Sequence, residues 1–245
     1  MSATDHQTAV VIPALNEAGN IAAVVEALQA ESVTHVIVVD NGSTDDTAIT
    51  ATAAGATVIS EPRQGYGYAC AAGTSKAHEM GADIIVYIDG DQSSLPSEVH
   101  RLLEPLAAGR AELVLGSRTL GTIEAGAMGV HQRFGNWLTA AIMRRLYDID
   151  VTDLGPYRAI SADLVEALDM SEMTFGWPTE MMVKAARRHA RIVEVPVTWE
   201  ARGSGDSKVS GTIKGTVLAG WFLLSVTVKH AFGPVPEPWR ADQSK

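Results

Sequence analysis

The chain has 245 residues, 46% hydrophobic and 20% charged, a balance near the globular average that excludes disordered, collagen-like and coiled-coil chains. Its net charge is -10, from 19 Lys and Arg against 29 Asp and Glu, which argues against nucleic acid as a partner. The single cysteine, Cys70, excludes an intramolecular disulfide and a thiolate zinc cage.

Residues 1–9 lack a charged segment followed by an apolar core, so no secretory signal peptide is expected and a cytoplasmic location is the default. Val10-Val11-Ile12, ending at Pro13, reads as a short buried strand. Ile21, Val24, Val25 and Leu28 then share one face of a helix. His35 to Val39 is a second strand, and Ser43 to Asp46 supply capping residues for a helix that ends at Ala54-Gly55. Thr57 to Ile59 is a third strand, residues 66–80 a glycine-broken helix and Ile84 to Ile88 a fourth strand. Pro96 starts a helix to about Ala108, and Glu112 to Leu115 is a fifth strand. Strands alternating with helices, each strand an unbroken apolar run, predict a mostly parallel sheet covered on both faces, an α/β fold.

Beyond residue 120 the pattern loosens. Helices are expected over residues 131–147, 162–168, 178–190 and 211–230, with a strand pair near Tyr157–Ile160 and Ile192–Val197. The apolar run Gly215 to Val228 spans 14 residues, short of the about 20 that cross a bilayer. The helix over 211–230 either packs on the protein or lies in a membrane interface, with Trp221 between Lys214 and Lys229. Trp177 opens another helix and reads either as a pocket floor or as a core aromatic.

Charge is uneven. No Lys or Arg precedes Arg63, and seven basic residues fall between Lys184 and Lys214. Such late cations suit a phosphate or anionic-lipid site, although Arg187, Arg188 and Arg191 read more simply as a solvated face.

In parallel α/β sheets ligands bind beyond the carboxyl ends of the strands. Here those ends run into Asn16-Glu17, Asp40-Asn41-Gly42-Ser43, Asp89-Gly90-Asp91 and Gly116-Ser117-Arg118. Asp89 and Asp91 are the sharpest signal. Two carboxylates one residue apart after an apolar strand reach one point, and a hard divalent cation takes oxygen donors while leaving positions for phosphate oxygens. No P-loop is present, and Gly65-Tyr66-Gly67 lacks the third glycine of a dinucleotide fingerprint. Its expected role is close chain approach at a helix start.

The segments Val11 to Glu17, Val39 to Asp45, Asp89-Gly90-Asp91 and Gly116-Ser117-Arg118 resemble the family 2 glycosyltransferases in order and spacing. Thr152 to Arg158 and Arg202 to Lys208 are similar to segments of the polyprenyl-phosphate (dolichyl-phosphate) sugar synthases within that family. The resemblance spans about residues 9 to 230. It implies a GT-A fold, a nucleoside-diphosphate sugar donor, Mg²⁺ or Mn²⁺, and inversion at the anomeric carbon. Carried over by motif, Pro13, Leu15, Asn16, Glu17 and Asp40 hold base and ribose, with Asn41 where relatives often have a second acid. Asp89 and Asp91 hold metal and diphosphate. Asp91 and Asp153 are the catalytic candidates, Asp153 as a base near the acceptor or, for a phosphate acceptor that is already anionic, as an orienting group; a turn cap is its plain alternative. Arg118, Arg158, Arg202, Ser207 and Lys208 hold substrate or phosphate groups.

The resemblance implies one glycosyltransferase domain over residues 1–232, with a nucleotide-sugar half at 9–119 and an acceptor half at 120–232. A loose tail over 233–245 follows. The expected acceptor is a polyprenyl phosphate met at the inner membrane face. The alternatives are a soluble acceptor with the same donor chemistry and, less favoured, a sugar-nucleotide-binding protein without turnover. A homo-oligomer is allowed by the sequence.

Overall fold

Successive strand residues point to opposite faces of a sheet, so a strand covered on both sides must be apolar throughout. In β1 (Thr8–Ala14) Ala9 and Val11 enter one core while Val10 and Ile12 enter another. β2 (His35–Asp40) and β4 (Ile84–Tyr87) divide in the same way: Ile37, Val39, Ile85 and Tyr87 against Val36, Val38, Ile84 and Val86. The first core is closed by α3 (Tyr66–Glu79), α5 (Val130–Tyr147), α6 (Ala162–Ala167) and α7 (Trp177–Arg187); the second by α1 (Ile21–Gln29), α2 (Thr47–Ala53) and α4 (Val99–Ala107). The stripe Ile21, Val24, Val25 and Leu28 is the buried face of α1, as its spacing predicts.

The structure is a computed structural model and describes residues 6–203, 225–231 and 236–239. With β3 (Thr57–Ser60), β5 (Leu113–Ile123), β6 (Arg158–Ser161) and β7 (Ile192–Trp199), the seven strands run in the order β3-β2-β1-β4-β6-β5-β7. All neighbours are parallel except those of β6, which is antiparallel to both β4 and β5. The expected pairing of the Tyr157 and Ile192 strands is therefore corrected: β6 lies between β4 and β5, and β7 pairs with the outer side of β5. β5 is also longer than its apolar core, because residues up to Ile123 continue the ladder with β7 through an irregularity between Ser117 and Thr122.

The direction of β6 is what assembles the site. Arg158 sits opposite Tyr87 and Leu115, so the segment entering β6, residues 152–157, emerges beside the carboxyl ends of β4 and β5. The expected glycine role at 65–67 also holds: a Cβ at Gly67 would collide with the backbone of Glu172 and Met173. α3 is continuous through its glycines.

Trp177 is 3% exposed and belongs to the core, which selects the second of its two readings. Of the helix expected over 211–230 only residues 225–230 are described; they are helical, with Val226 and Thr227 buried. The rest of that segment lies outside the described residues. The tail is not loose throughout: Trp239 packs on the first core and its amide donates to the Arg188 carbonyl at 2.6 Å. Among the described residues no helix is long and apolar enough to cross a membrane.

Candidate active site

Asp89 lies just past β4, at the carboxyl-end edge of the sheet. A Cβ at Gly90 would lie 3.2 Å from Ile21 Cδ1 and 3.3 Å from Ile12 Cγ2, so the loop passes close to the end of β1. Burial pushes the Asp89 carboxyl up to about 7; the negative charges of Asp91 and Glu17 add to this, and the Tyr66 hydroxyl and Arg118 oppose it. Tyr66 donates to Asp89 Oδ1 at 3.4 Å. Asp91 turns one oxygen back on its own loop, accepting from Ser93 N at 3.0 Å and Ser93 Oγ at 2.5 Å. Its other oxygen, Oδ2, is 3.8 Å from Arg202 Nη2.

Arg202 follows β7 and joins the strand ends. It donates to Glu17 Oε1 at 2.6 Å, while Asn20 donates to Glu17 Oε2 at 2.7 Å. One guanidinium thus lies between an acid after β1 and an acid after β4. Asn16 adopts a left-handed conformation, φ 53°; its amide donates to Ser43 Oγ at 2.9 Å and its Oδ1 accepts from Thr44 N at 2.7 Å. Asp40 Oδ1 accepts from Ser43 N at 3.0 Å. The ends of β1 and β2 are therefore laced together, with Pro13 and Leu15 partly exposed beside them.

A second polar unit stands where β5, β6 and β7 meet. Arg118 grips Asp153 with both arms, Nε to Oδ2 at 2.8 Å and Nη2 to Oδ1 at 2.6 Å, and its own amide donates to Oδ2 at 2.7 Å. Its guanidinium stacks 4.8 Å from the centre of the Trp199 ring. Burial alone would raise the Asp153 carboxyl, but Arg118 and the surrounding N–H groups hold it below the usual carboxylate range. Glu194 in β7 carries this loop: its carboxylate accepts from Thr152 N at 2.9 Å, Thr152 Oγ1 at 2.8 Å and Asp153 N at 3.0 Å. Removing it orphans three donors, so Glu194→Ala is expected to lower the unfolding free energy by about 2–3 kcal/mol. A urea midpoint equal to that of the parent would show that the loop does not depend on this carboxylate.

The sequence model of "Glycosyl transferase family 2" matches residues 9–169. The chain belongs to this family. An uncharacterised glycosyltransferase of Mycobacterium tuberculosis is 36% identical to it over 214 residues, 86% of this chain and 93% of the relative. The undecaprenyl-phosphate mannosyltransferase of Micrococcus luteus is 32% identical over 216 residues, 84% of this chain and 88% of that protein. Among solved structures, glucosyl-3-phosphoglycerate synthase of Mycobacterium tuberculosis, in complex with Mn²⁺, UDP and phosphoglyceric acid, superposes with a TM-score of 0.75. It is 24% identical, with 95% of this chain and 81% of that chain covered. The fold is GT-A.

In this family 2 glycosyltransferase the expected residues divide by what their polar atoms do. Glu17, Asp89, Asp91, Arg118 and Arg202 interact at the carboxyl-end edge, and Asn16 is tied to Ser43 and Thr44 after β2. Asn41 is 5% exposed; it donates to the carbonyls of Glu61 and Arg63 and accepts from Gly65 N, at 2.8–2.9 Å. Its side chain shapes the loop before α3 instead of facing a ligand. Arg158 is 1% exposed and donates to the carbonyls of Pro178 and Gly155. This departs from the phosphate-holding role expected of it. The antiparallel strand turns the side chain under the site, among Tyr66, Cys70 and Tyr87, where burial draws its pKa down to about 10 and leaves it charged. Asp153 spends both oxygens on Arg118 and backbone N–H groups, an arrangement suited to orienting Arg118 more than to taking a proton. Ser207 and Lys208 lie outside the described residues.

Sequence reasoning missed Glu194 and Tyr66. Glu194 was detectable as an acid in the middle of the apolar run Ile192 to Val197; Tyr66 carried no signal beyond its flanking glycines. Among the described residues no three His, Cys, Asp or Glu side chains group to hold a metal ion. The donor set at the site is two carboxylates, both hard oxygen ligands of the kind Mg²⁺ and Mn²⁺ accept when phosphate oxygens and water complete the shell. Asp89 and Asp91 fit such an ion.

Proposed function

We propose that this glycosyltransferase moves a sugar from a nucleoside-diphosphate donor to a polyprenyl phosphate, with inversion at the anomeric carbon. The observation that carries this reading is the meeting of Glu17, Asp89, Asp91 and Arg202, past the carboxyl ends of β1, β4 and β7, with Arg118 of β5. Similarity to the undecaprenyl-phosphate mannosyltransferase supports the choice of acceptor.

In this reading Pro13, Leu15, Asn16, Glu17 and Asp40 receive the base and ribose, and the diphosphate turns toward Asp89 and Asp91. Asp89 and Asp91 would hold a divalent cation, whose positive charge would offset the charge of the leaving diphosphate. Arg202 and Arg118, with Ser207 and Lys208 farther along the chain, draw in and orient the acceptor phosphate. That phosphate is already an anion, so it attacks without giving up a proton, and Asp153 serves by fixing Arg118. A single displacement from the side opposite the leaving group inverts the configuration.

The test is calorimetry with UDP-, GDP- and dTDP-sugars in the presence of Mn²⁺ or Mg²⁺, followed by transfer assays to a short polyprenyl phosphate and to a small phosphorylated acid. Cation-dependent binding of one donor and transfer to the polyprenyl phosphate are expected. Transfer only to the soluble acid would replace the lipid acceptor, and donor binding indifferent to cations would remove the metal.

A further inference from the structure

We infer that the outer face of α5 docks this enzyme on an anionic membrane surface. α5 runs from Val130 to Tyr147 and contains Arg133, Arg144, Arg145 and His131 but no Asp or Glu, in a chain whose net charge is -10. Val130 is 83% exposed, Phe134 60% and Trp137 56%. Their spacing of four and three places them on one stripe, and the Phe134 and Trp137 rings touch at a centroid distance of 5.8 Å. At about 100° per residue, Arg133 and Arg145 fall roughly 60° to either side of that stripe, and both are exposed. An apolar and aromatic ridge between arginines is the pattern of a helix lying in the headgroup region of a bilayer. There Trp favours the interface and the cations meet acidic lipids.

The opposite side of the helix faces the site. Thr139, Ala140 and Met143 are buried. Asn136 Oδ1 accepts from Leu154 N at 3.0 Å, and Asn136 Nδ2 donates to the Thr152 carbonyl at 3.4 Å. Asn136 therefore brackets Asp153, the partner of Arg118. A membrane held on the outer face would lie one helix away from the residues proposed to orient the acceptor phosphate. A second copy of the chain is a poorer occupant. A twofold contact through this ridge would bring arginines of both copies together with no acid on either helix to pair with them.

Docking of this kind rests on the lipid-acceptor reading for its purpose and on α5 alone for its physics. The experiment is co-sedimentation of the full chain with phosphatidylcholine vesicles, with and without phosphatidylglycerol, at low and high salt. The parent is expected to sediment with the phosphatidylglycerol vesicles and to be released by salt. The double variant Phe134→Ser/Trp137→Ser should partition about tenfold less, and Arg133→Gln/Arg145→Gln should lose the preference for anionic lipid. Both should keep the parent's melting temperature and donor affinity. Equal sedimentation of parent and variants would overturn the docking face, as would a lipid-independent dimer that Phe134→Ser/Trp137→Ser dissociates. The two readings separate in detergent solution. Transfer to a short polyprenyl phosphate without vesicle binding would overturn docking alone, and vesicle binding without such transfer would overturn the acceptor alone.

Discussion

Asp91→Asn is expected to lower sugar transfer by about 10²–10³-fold while leaving the melting temperature unchanged or slightly higher. The substitution keeps an oxygen that can accept from Ser93 N and Oγ, so the turn after β4 survives. It removes the charge that helps raise Asp89 to about 7, and relief of that repulsion offsets the loss of the 3.8 Å approach to Arg202. The same charge belongs to one of the two carboxylates that would hold a divalent cation. Stability and function therefore move in different directions, as is common where a site collects like charges. The measurements are kcat/KM with Mn²⁺ or Mg²⁺ and a thermal melt of parent and variant. Undiminished transfer by Asp91→Asn would remove the metal-bound diphosphate from the mechanism.

The second large effect is expected at the Arg118–Asp153 pair. Asp153 is 2% exposed and Arg118 13%, so removing one partner leaves a charge that is poorly solvated and unpaired. Asp153→Ala should cost about 3–5 kcal/mol in stability. The pH dependence has a defined sign. Although burial pushes the carboxyl up, Arg118 and the backbone N–H groups hold it below its ordinary value. The pair then stabilises the fold wherever the unfolded carboxyl is ionised, above about pH 4. That contribution is lost as the pH falls through the lower folded value, so the stability gap between parent and Asp153→Ala should narrow in acid.

Activity separates the two roles open to Asp153. A general base would make Asp153→Asn far more damaging than Arg118→Ala. An orienting group gives comparable losses in both, and the double variant is little worse than either single one, because the residues act as a unit. A double variant showing the full product of the two losses would mean that they act independently.

Much of residues 9–119 was legible because the signals there are local. An unbroken apolar strand such as Val36 to Val39 reports burial on both faces, and the Ile21 to Leu28 stripe reports a one-sided helix; neither depends on what lies opposite. The acids after the strands could be read as a site because a parallel sheet gathers its carboxyl ends on one edge. The residues after 120 were less legible. Residues 157–160 suggest a strand but not its neighbours, since direction and register are set by backbone hydrogen bonds to residues remote in the chain.

The sequence by itself determined the alternation of buried strands and helices, the sheet edge on which the polar loops gather, and the acid pair Asp89 and Asp91. Only the tertiary structure decided that β6 runs antiparallel between β4 and β5. Through it Asp153 meets Arg118 across 35 residues, and Arg158 is carried under the site. The same holds for Arg202, which reaches Glu17 across 185 residues. Short-range periodicity and side-chain chemistry are written along the chain. The pairing of charges depends on which strands lie side by side, and that is settled only when all seven share one sheet.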